Sequence, residues 1–283
     1  MKEIQGMPLV TIHDSERTVH DRNKPPVIFY GKVNAVDRKT AVLNIIKDEG
    51  GFFVEKLIVK NVSKVKGKKH ILKRINLELK RGEVLGFLGA NGAGKTTTLK
   101  CILGLCHFEG EIKIAGLDTK KESGRVSRMI SGLIEEPCFY PDMTGLENLK
   151  INMMYYGIPS KRRMDEIITD LKMTHFINDK VKTYSLGMRQ RLGIALALSS
   201  EPEIILLDEP MNGLDPDGIK ELRELLITLA HKEGKAILVS SHILSEMQML
   251  CDRVVFIRSG EIVGNESVGS NLEERYMEVM KEI

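Results

Sequence analysis

Four cysteines are all that 283 residues carry, and Cys101, Cys106, Cys138 and Cys251 form no CxxC pair and keep no histidine cluster at metal-binding spacing. A zinc site and a disulfide framework are therefore not indicated, and the thiols read as reduced and cytosolic. Long apolar runs are also missing. No stretch reaches the 18 or more residues of a membrane span, and the N-terminal "MKEIQGMPLVTIHDSE" has no apolar core, so this chain is not expected to cross a membrane by itself. Neither charge sign dominates: a net +3 with 29% charged residues gives no reason to expect nucleic acid as a partner. The basic run "KVKGKKHILKR" from Lys64 to Arg74 reads as a solvated or phosphate-adjacent surface. There is no internal repeat and no low-complexity tract. What remains is a 42% hydrophobic share, enough for a substantial core in one large domain or two modest ones.

Apolar segments of strand length, "VLGFL" from Val84, "IILLD" from Ile204 and "AILVS" from Ala236, alternate with longer segments of helical periodicity. That order predicts an α/β class with a mostly parallel sheet covered by helices. Strand signals stop between Phe139 and about Lys182, and "TGLENLKINMMYYG" opens with Thr144 and Glu147 in capping-box spacing, so a helical insertion is expected there. "DRVVFIRSGEIVG" predicts a β-hairpin turning at Ser259-Gly260. Residues 1–56 differ in kind: a polar tail precedes "VIFYGKVNAVDRKTAVLNII", which reads as a second hairpin of no legible role.

"GANGAGKTT", comprising Gly89, Ala90, Asn91, Gly92, Ala93, Gly94, Lys95, Thr96 and Thr97, fits GxxxxGK[ST] and lies between an apolar strand and a segment able to continue as a helix. Glycines let successive backbone N–H groups face one phosphate, and the helix N-terminus adds its positive dipole end. Lys95 would reach the outer phosphates and Thr96 would offer a hydroxyl to Mg²⁺. "EIILLDEP" ends its strand in two acids. Asp208 is placed to hold Mg²⁺ through its water shell, and Glu209 to polarise an attacking water. Beyond it, Asp215 in "GLDPDG" can cap a helix that starts at Pro216. "LVSSH" brings Ser240, Ser241 and His242 to the carboxyl end of another strand, the edge where open α/β sheets bind ligands, and makes His242 a contact for a terminal phosphate.

In this order the motifs resemble the ATP-binding subunit of ABC transporters, over about residues 57–283 or four fifths of the chain. The resemblance implies a P-loop NTPase core with an antiparallel β subdomain and a helical subdomain at about 139–200. "YSLGMRQRL" from Tyr184 then falls where that family has its LSGGQ signature, with Leu186 and Met188 in two of the usual small or amide positions. Two such subunits pair head to tail, each ATP held between the phosphate loop of one and the signature of the other. On that pattern Ser185 would donate to the γ-phosphate, Gly187 would let a backbone N–H approach it, and Asp215 would join the ATP contacts.

Glu135 occupies the position of a glutamine that normally meets Mg²⁺ and water, and Lys66 that of the aromatic that stacks on adenine. A carboxylate is still a hard oxygen ligand, and Lys66 leaves adenine to a cation–π contact or to an aromatic elsewhere, such as Tyr30, Phe52 or Phe53. "EEPCFYPDMTGLENL", "YSLGMRQRL" and "NLEERYMEVMKE" look most like the stand-alone ATPases of bacterial ABC-2-type exporters, including those for bacitracin and lantibiotic resistance. That implies a separate membrane permease docked near residues 135–156, a homodimer or paralogous pair in the ATP-bound state, and a cytoplasmic chain peripheral to the inner face of the membrane. The competing readings are a soluble ATPase acting on nucleic acid or ribosomes, which normally carries two such units and a charged linker, and a sensor whose N-terminal 56 residues regulate the rest.

Overall fold

The computed structural model describes residues 55–135, 138–269 and 271–281. The hairpin expected in the N-terminal extension, and Tyr30, Phe52 and Phe53 with it, lie outside the described residues. The last two residues assigned to that extension, Glu55 and Lys56, already belong to the first strand.

Strands β1 (Glu55–Lys66) and β2 (Lys69–Lys80) form a long antiparallel hairpin that carries the basic run at its tip. With β4 (Glu109–Ile114) and the two-residue β5 (Leu117–Asp118) they make an antiparallel sheet of order β2-β1-β4-β5. The second sheet takes the order β10-β9-β3-β8-β7-β6. Here β3 (Val84–Leu88), β6 (Ile130–Leu133), β7 (Ile204–Asp208), β8 (Ala236–Ser241) and β9 (Arg253–Arg258) run parallel, and β10 (Glu261–Ser267) closes the edge antiparallel to β9. The three apolar segments and the terminal hairpin thus fold as expected. The short β6 had gone unread.

Every residue of β3, β7 and β8 is buried, which is why these segments are continuously apolar instead of alternating. Successive side chains nevertheless serve different cores. Leu85, Phe87, Leu206 and Leu238 face the antiparallel sheet and helix α1 (Lys95–Ile102), whereas Leu88, Leu207, Val239 and Phe256 face the helices on the other side. Phe87 and Phe256, among the largest fully buried side chains, sit in opposite cores, each contributing roughly 1.5–3 kcal/mol by burial.

A short helix α2 (Ser123–Val126) leads into β6, and the expected helical insertion follows as α3 (Gly145–Tyr155), α4 (Lys161–Asp170) and α5 (Leu186–Ser199). Thr144 and Glu147 form the capping box foreseen from their spacing, with Thr144 N–H donating to Glu147 Oε2 at 2.7 Å and Glu147 N–H to Thr144 Oγ1 at 3.1 Å. Asn152, 3% exposed, locks α3 to α5 by donating to Leu196 O at 3.0 Å and to Ser199 Oγ at 2.7 Å. Among the described residues α6 (Pro216–His231), α7 (Leu244–Leu250) and α8 (Leu272–Lys281) follow.

Candidate active site

Parallel register gathers the site. Leu88 pairs with Ser241 and Asp208 with Ser240, so β3, β8 and β7 end side by side and their following residues share one edge of the sheet. The loop from Gly89 to Gly94 curls over that edge. Gly94 has φ of 115°, and a Cβ there would stand 2.8 Å from Leu72 Cδ2, so both conformation and space demand glycine where α1 begins. Asn91 and Gly92 are exposed on the outer turn, Ala93 is buried, and Thr96 and Thr97 are half-buried in the first turn of α1, whose leading amides have no partner within the helix.

Lys95, only 6% exposed, folds its ammonium into the loop, donating to Gly89 O at 2.7 Å and standing 3.3 Å from Glu209 Oε1. Asp208, 8% exposed, accepts from Thr96 Oγ1 at 2.7 Å and from Ser240 Oγ at 2.5 Å. A hydroxyl and a carboxylate this close make a hard-oxygen donor set that suits Mg²⁺, and the buried ammonium beside free helix amides suits a phosphate chain. Both groups fit the residues present.

Glu209 lies in the left-handed region at φ of 49°, a conformation that costs a residue with a side chain roughly 1 kcal/mol or more. Its amide is held there by Ser240, donating to the Ser240 carbonyl and hydroxyl at 3.1 Å each. The twist sends the carboxylate back across the edge, between Lys95 and His242 Nδ1 at 2.9 Å. Glu209 and His242, expected at one sheet edge, are in contact. Behind them Ser241 donates to Glu246 Oε2 at 3.2 Å, and burial first, then repulsion from Glu209, raises the Glu246 carboxyl above its ordinary range.

The signature stretch occupies a different surface. Tyr184 is buried, its hydroxyl donating to Phe176 O at 2.8 Å and its ring edge-on to Phe176, and this fixes the approach to α5. Ser185 is the N-cap of α5 and accepts from Met188 N–H at 3.3 Å. Met188 packs against the helical core, whereas Leu186 is 61% exposed and lies over Gly213. A Cβ on Gly187 would meet Gly213 O at 2.8 Å, so glycine here lets two backbones touch. Asp215 caps α6 as expected, accepting from Gly218 N–H at 3.0 Å, and shares this exposed face with Ser185.

Glu135 is not gathered with Thr96 and Asp208. Its carboxylate pairs instead with Lys100 Nζ of α1 at 2.6 Å, an ion pair on the exposed side of the helix. Lys66 is exposed at the tip of the β1–β2 hairpin, whose Ile71 and Leu72 flank the phosphate loop. The sequence reading missed three connections: Ser240 as the residue that holds both acids, Gln190 Nε2 donating to Pro210 O at 3.0 Å, and Arg191 reaching Leu171 O and Glu221 at 2.9 and 3.0 Å. Gln190 and Arg191 belong to the quoted signature stretch, but their partners lie in the turn after β7, at the end of α4 and in α6.

A family model described as ABC transporter matches residues 72–212. The lantibiotic transport ATP-binding protein SrtF of Streptococcus pyogenes is 40% identical over 223 residues, covering 78% of this chain and 95% of that protein. This chain belongs to the ABC transporter ATP-binding proteins. The ABC ATPase is also 43% identical over 204 residues to the bacitracin transport ATP-binding protein BcrA of Bacillus licheniformis, covering 72% of this chain and 67% of that one. A dimeric ATP-binding cassette in a post-hydrolysis state, bound to ADP and Pi, superposes with a TM-score of 0.68 at 26% identity, over 76% of this chain and 99% of its own. As a member of this family the ABC ATPase binds and hydrolyses ATP as the nucleotide-binding subunit of a transporter. Among the described residues no helix is long and apolar enough to cross a membrane.

Proposed function

We propose that two copies of this ABC ATPase close head to tail over two ATP molecules with Mg²⁺, and that closing and opening drive a separate membrane permease in the export of an antibiotic-like peptide. The observation that carries the reading is the contact of Glu209 with both Lys95 and His242 at one sheet edge, while Ser185 is exposed on another face. The bacitracin and lantibiotic transport for which these relatives are named supports the exported class.

In this mechanism Lys95 leaves its loop carbonyl for the outer phosphates, and the amides of α1 take the remaining charge. Thr96 and Asp208 hold Mg²⁺, which when bound neutralises phosphate charge and orients the leaving group. Glu209 accepts a proton from the attacking water, and His242 keeps the carboxylate aimed and contacts the terminal phosphate. Ser185 and the amides at Gly187 meet the partner copy's phosphate, with Asp215 beside them. Lys100 balances Glu135, which takes no place among the metal ligands. Adenine rests against the hairpin tip, where Val65 is 44% exposed next to Lys66.

The helical segment 139–200 turns Met143, Met154 and Tyr155 outward at 38, 67 and 40% exposure, an apolar surface suited to permease helices, and this would hold the ATPase against the inner face of the membrane. In this division residues 1–54 precede the ATP-binding domain, whose first strand takes Glu55 and Lys56. Glu209→Gln tests the central step. The variant should hydrolyse ATP about 10²–10⁴-fold more slowly and elute as a dimer in ATP and Mg²⁺, because the base is lost while the phosphate contacts remain. Hydrolysis at the parental rate would remove Glu209 from its role.

A further inference from the structure

Cys101 and Cys106, five residues apart and unremarkable as a spacing, are brought together by the end of α1. Gly104, at φ of 72°, reverses the chain, its amide donating to Cys101 O at 3.0 Å and that of Leu105 to Lys100 O at 2.8 Å. The turn sets the two sulfurs 3.4 Å apart. Cys101 is fully buried and Cys106 half-buried, and among the described residues no cluster of cysteine, histidine and carboxylate groups is arranged to hold a metal there.

We propose that Cys101 and Cys106 are an oxidisable dithiol site on the phosphate-loop helix, with Cys106 the attacking thiol, Cys101 the resolving thiol and a peroxide the oxidant. The Cys106 thiolate attacks one peroxide oxygen, the O–O bond breaks, and the departing hydroxide takes a proton to leave as water. Cys101 then attacks the resulting sulfenic sulfur, giving up its own proton, and a second water departs as the S–S bond forms. Two thiols have lost two electrons and two protons, and one hydrogen peroxide has become two waters. Closing the sulfurs to the ~2.05 Å of a disulfide asks for a movement of little more than an ångström.

The division of labour between the thiols has a physical cause. Hydrogen bonding to Cys101 lowers the Cys106 thiol most, Lys64 and Lys100 lower it further against the opposing effect of burial, and it is held at about 7. The same bond and burial push Cys101 well above the ordinary thiol range. Cys106 is thus the thiol that supplies a thiolate at neutral pH, and the partner it needs lies beneath it. The crosslink would staple the far end of the helix whose first turn carries Lys95 and Thr96.

Trypsin cuts after Lys100 and Lys113, so one peptide, residues 101–113, reports on both sulfurs. The full chain is treated with equimolar hydrogen peroxide, alkylated in denaturant and digested. The expected result is a 101–113 peptide without alkyl groups and two hydrogens lighter than the thiol form, restored to the doubly alkylated form by dithiothreitol. Cys106→Ser should retain parental ATP hydrolysis and leave Cys101 fully alkylated after the same treatment. Cys101→Ser should carry its oxidation on Cys106 as a sulfenic acid captured by dimedone. A doubly alkylated 101–113 peptide from oxidised parent protein, with peroxide consumed at Cys138 instead, would overturn the proposal. So would a Cys106→Ser chain in which Cys101 oxidises at the parental rate.

Discussion

Around the phosphate loop Lys95, Asp208 and Ser240 are 6, 8 and 0% exposed; Ser240 holds Asp208 and Glu209, Thr96 donates to Asp208, and Lys95 stands against Glu209, through contacts of 2.5–3.3 Å. At the signature edge Leu186 is 61% exposed, Ser185 is open to solvent, and among the described residues the Ser185 hydroxyl is engaged by its own helix, at 3.3 Å from Met188 N–H. The first region is satisfied within the chain, and every charge in it has a partner before any ligand arrives. The second presents a capped helix end and an aliphatic side chain left largely open by the described residues. The contrast teaches that binding ATP and completing the site around it are separable. On the proposed reading, one chain supplies the buried half and a second chain meets the exposed half.

The two regions should therefore fail differently. Lys95→Ala removes the buried cation, and ATP affinity should fall by about a hundredfold or more, as loss of charge-assisted bonds to phosphate implies; titration with a fluorescent ATP analogue checks it. Ser185→Arg should leave that affinity within about twofold and abolish the ATP-dependent dimer on a sizing column, since the long side chain occupies the space the partner's phosphate needs and removes the N-cap hydroxyl without touching the loop. Thr144→Ala lies in the helical insertion away from both. Losing the cap should cost about 1 kcal/mol and lower Tm by roughly 3 °C with unchanged ATP affinity, measured by thermal unfolding. The Thr144 amide, then its hydroxyl, holds the Glu147 carboxyl below its usual value. The cap is thus at full strength above about pH 4.3 and is lost as pH falls through the folded-state value, a loss absent in Glu147→Gln.

The phosphate loop could be read from sequence because cradling phosphate needs contiguous residues: Gly89 to Thr96 carry their geometry in their own order. Asp208 and Glu209 were legible as a strand end, and the capping box as a spacing. Illegible was everything set by strand register or by helices meeting. Ser240 holds Asp208 and Glu209 from 32 and 31 residues away, and Gln190 and Arg191 find Pro210 and Glu221 across 20 and 30. Glu135 shows the limit of alignment by position. The acid stands where a metal ligand is expected, yet Lys100, one turn beyond Thr96 on α1, takes its charge. The two substituted signature positions also separate on inspection, Met188 turning into the core and Leu186 out over Gly213.

Mixing two inactive chains tests the shared site most directly. Lys95→Ala keeps its signature edge and Ser185→Arg keeps its phosphate loop, so a head-to-tail pair of the two contains one intact site. Each variant alone should be inert in ATP hydrolysis, and an equimolar mixture should regain activity approaching that of one site per heterodimer. A mixture as inert as its components would contradict the division of the site between two chains.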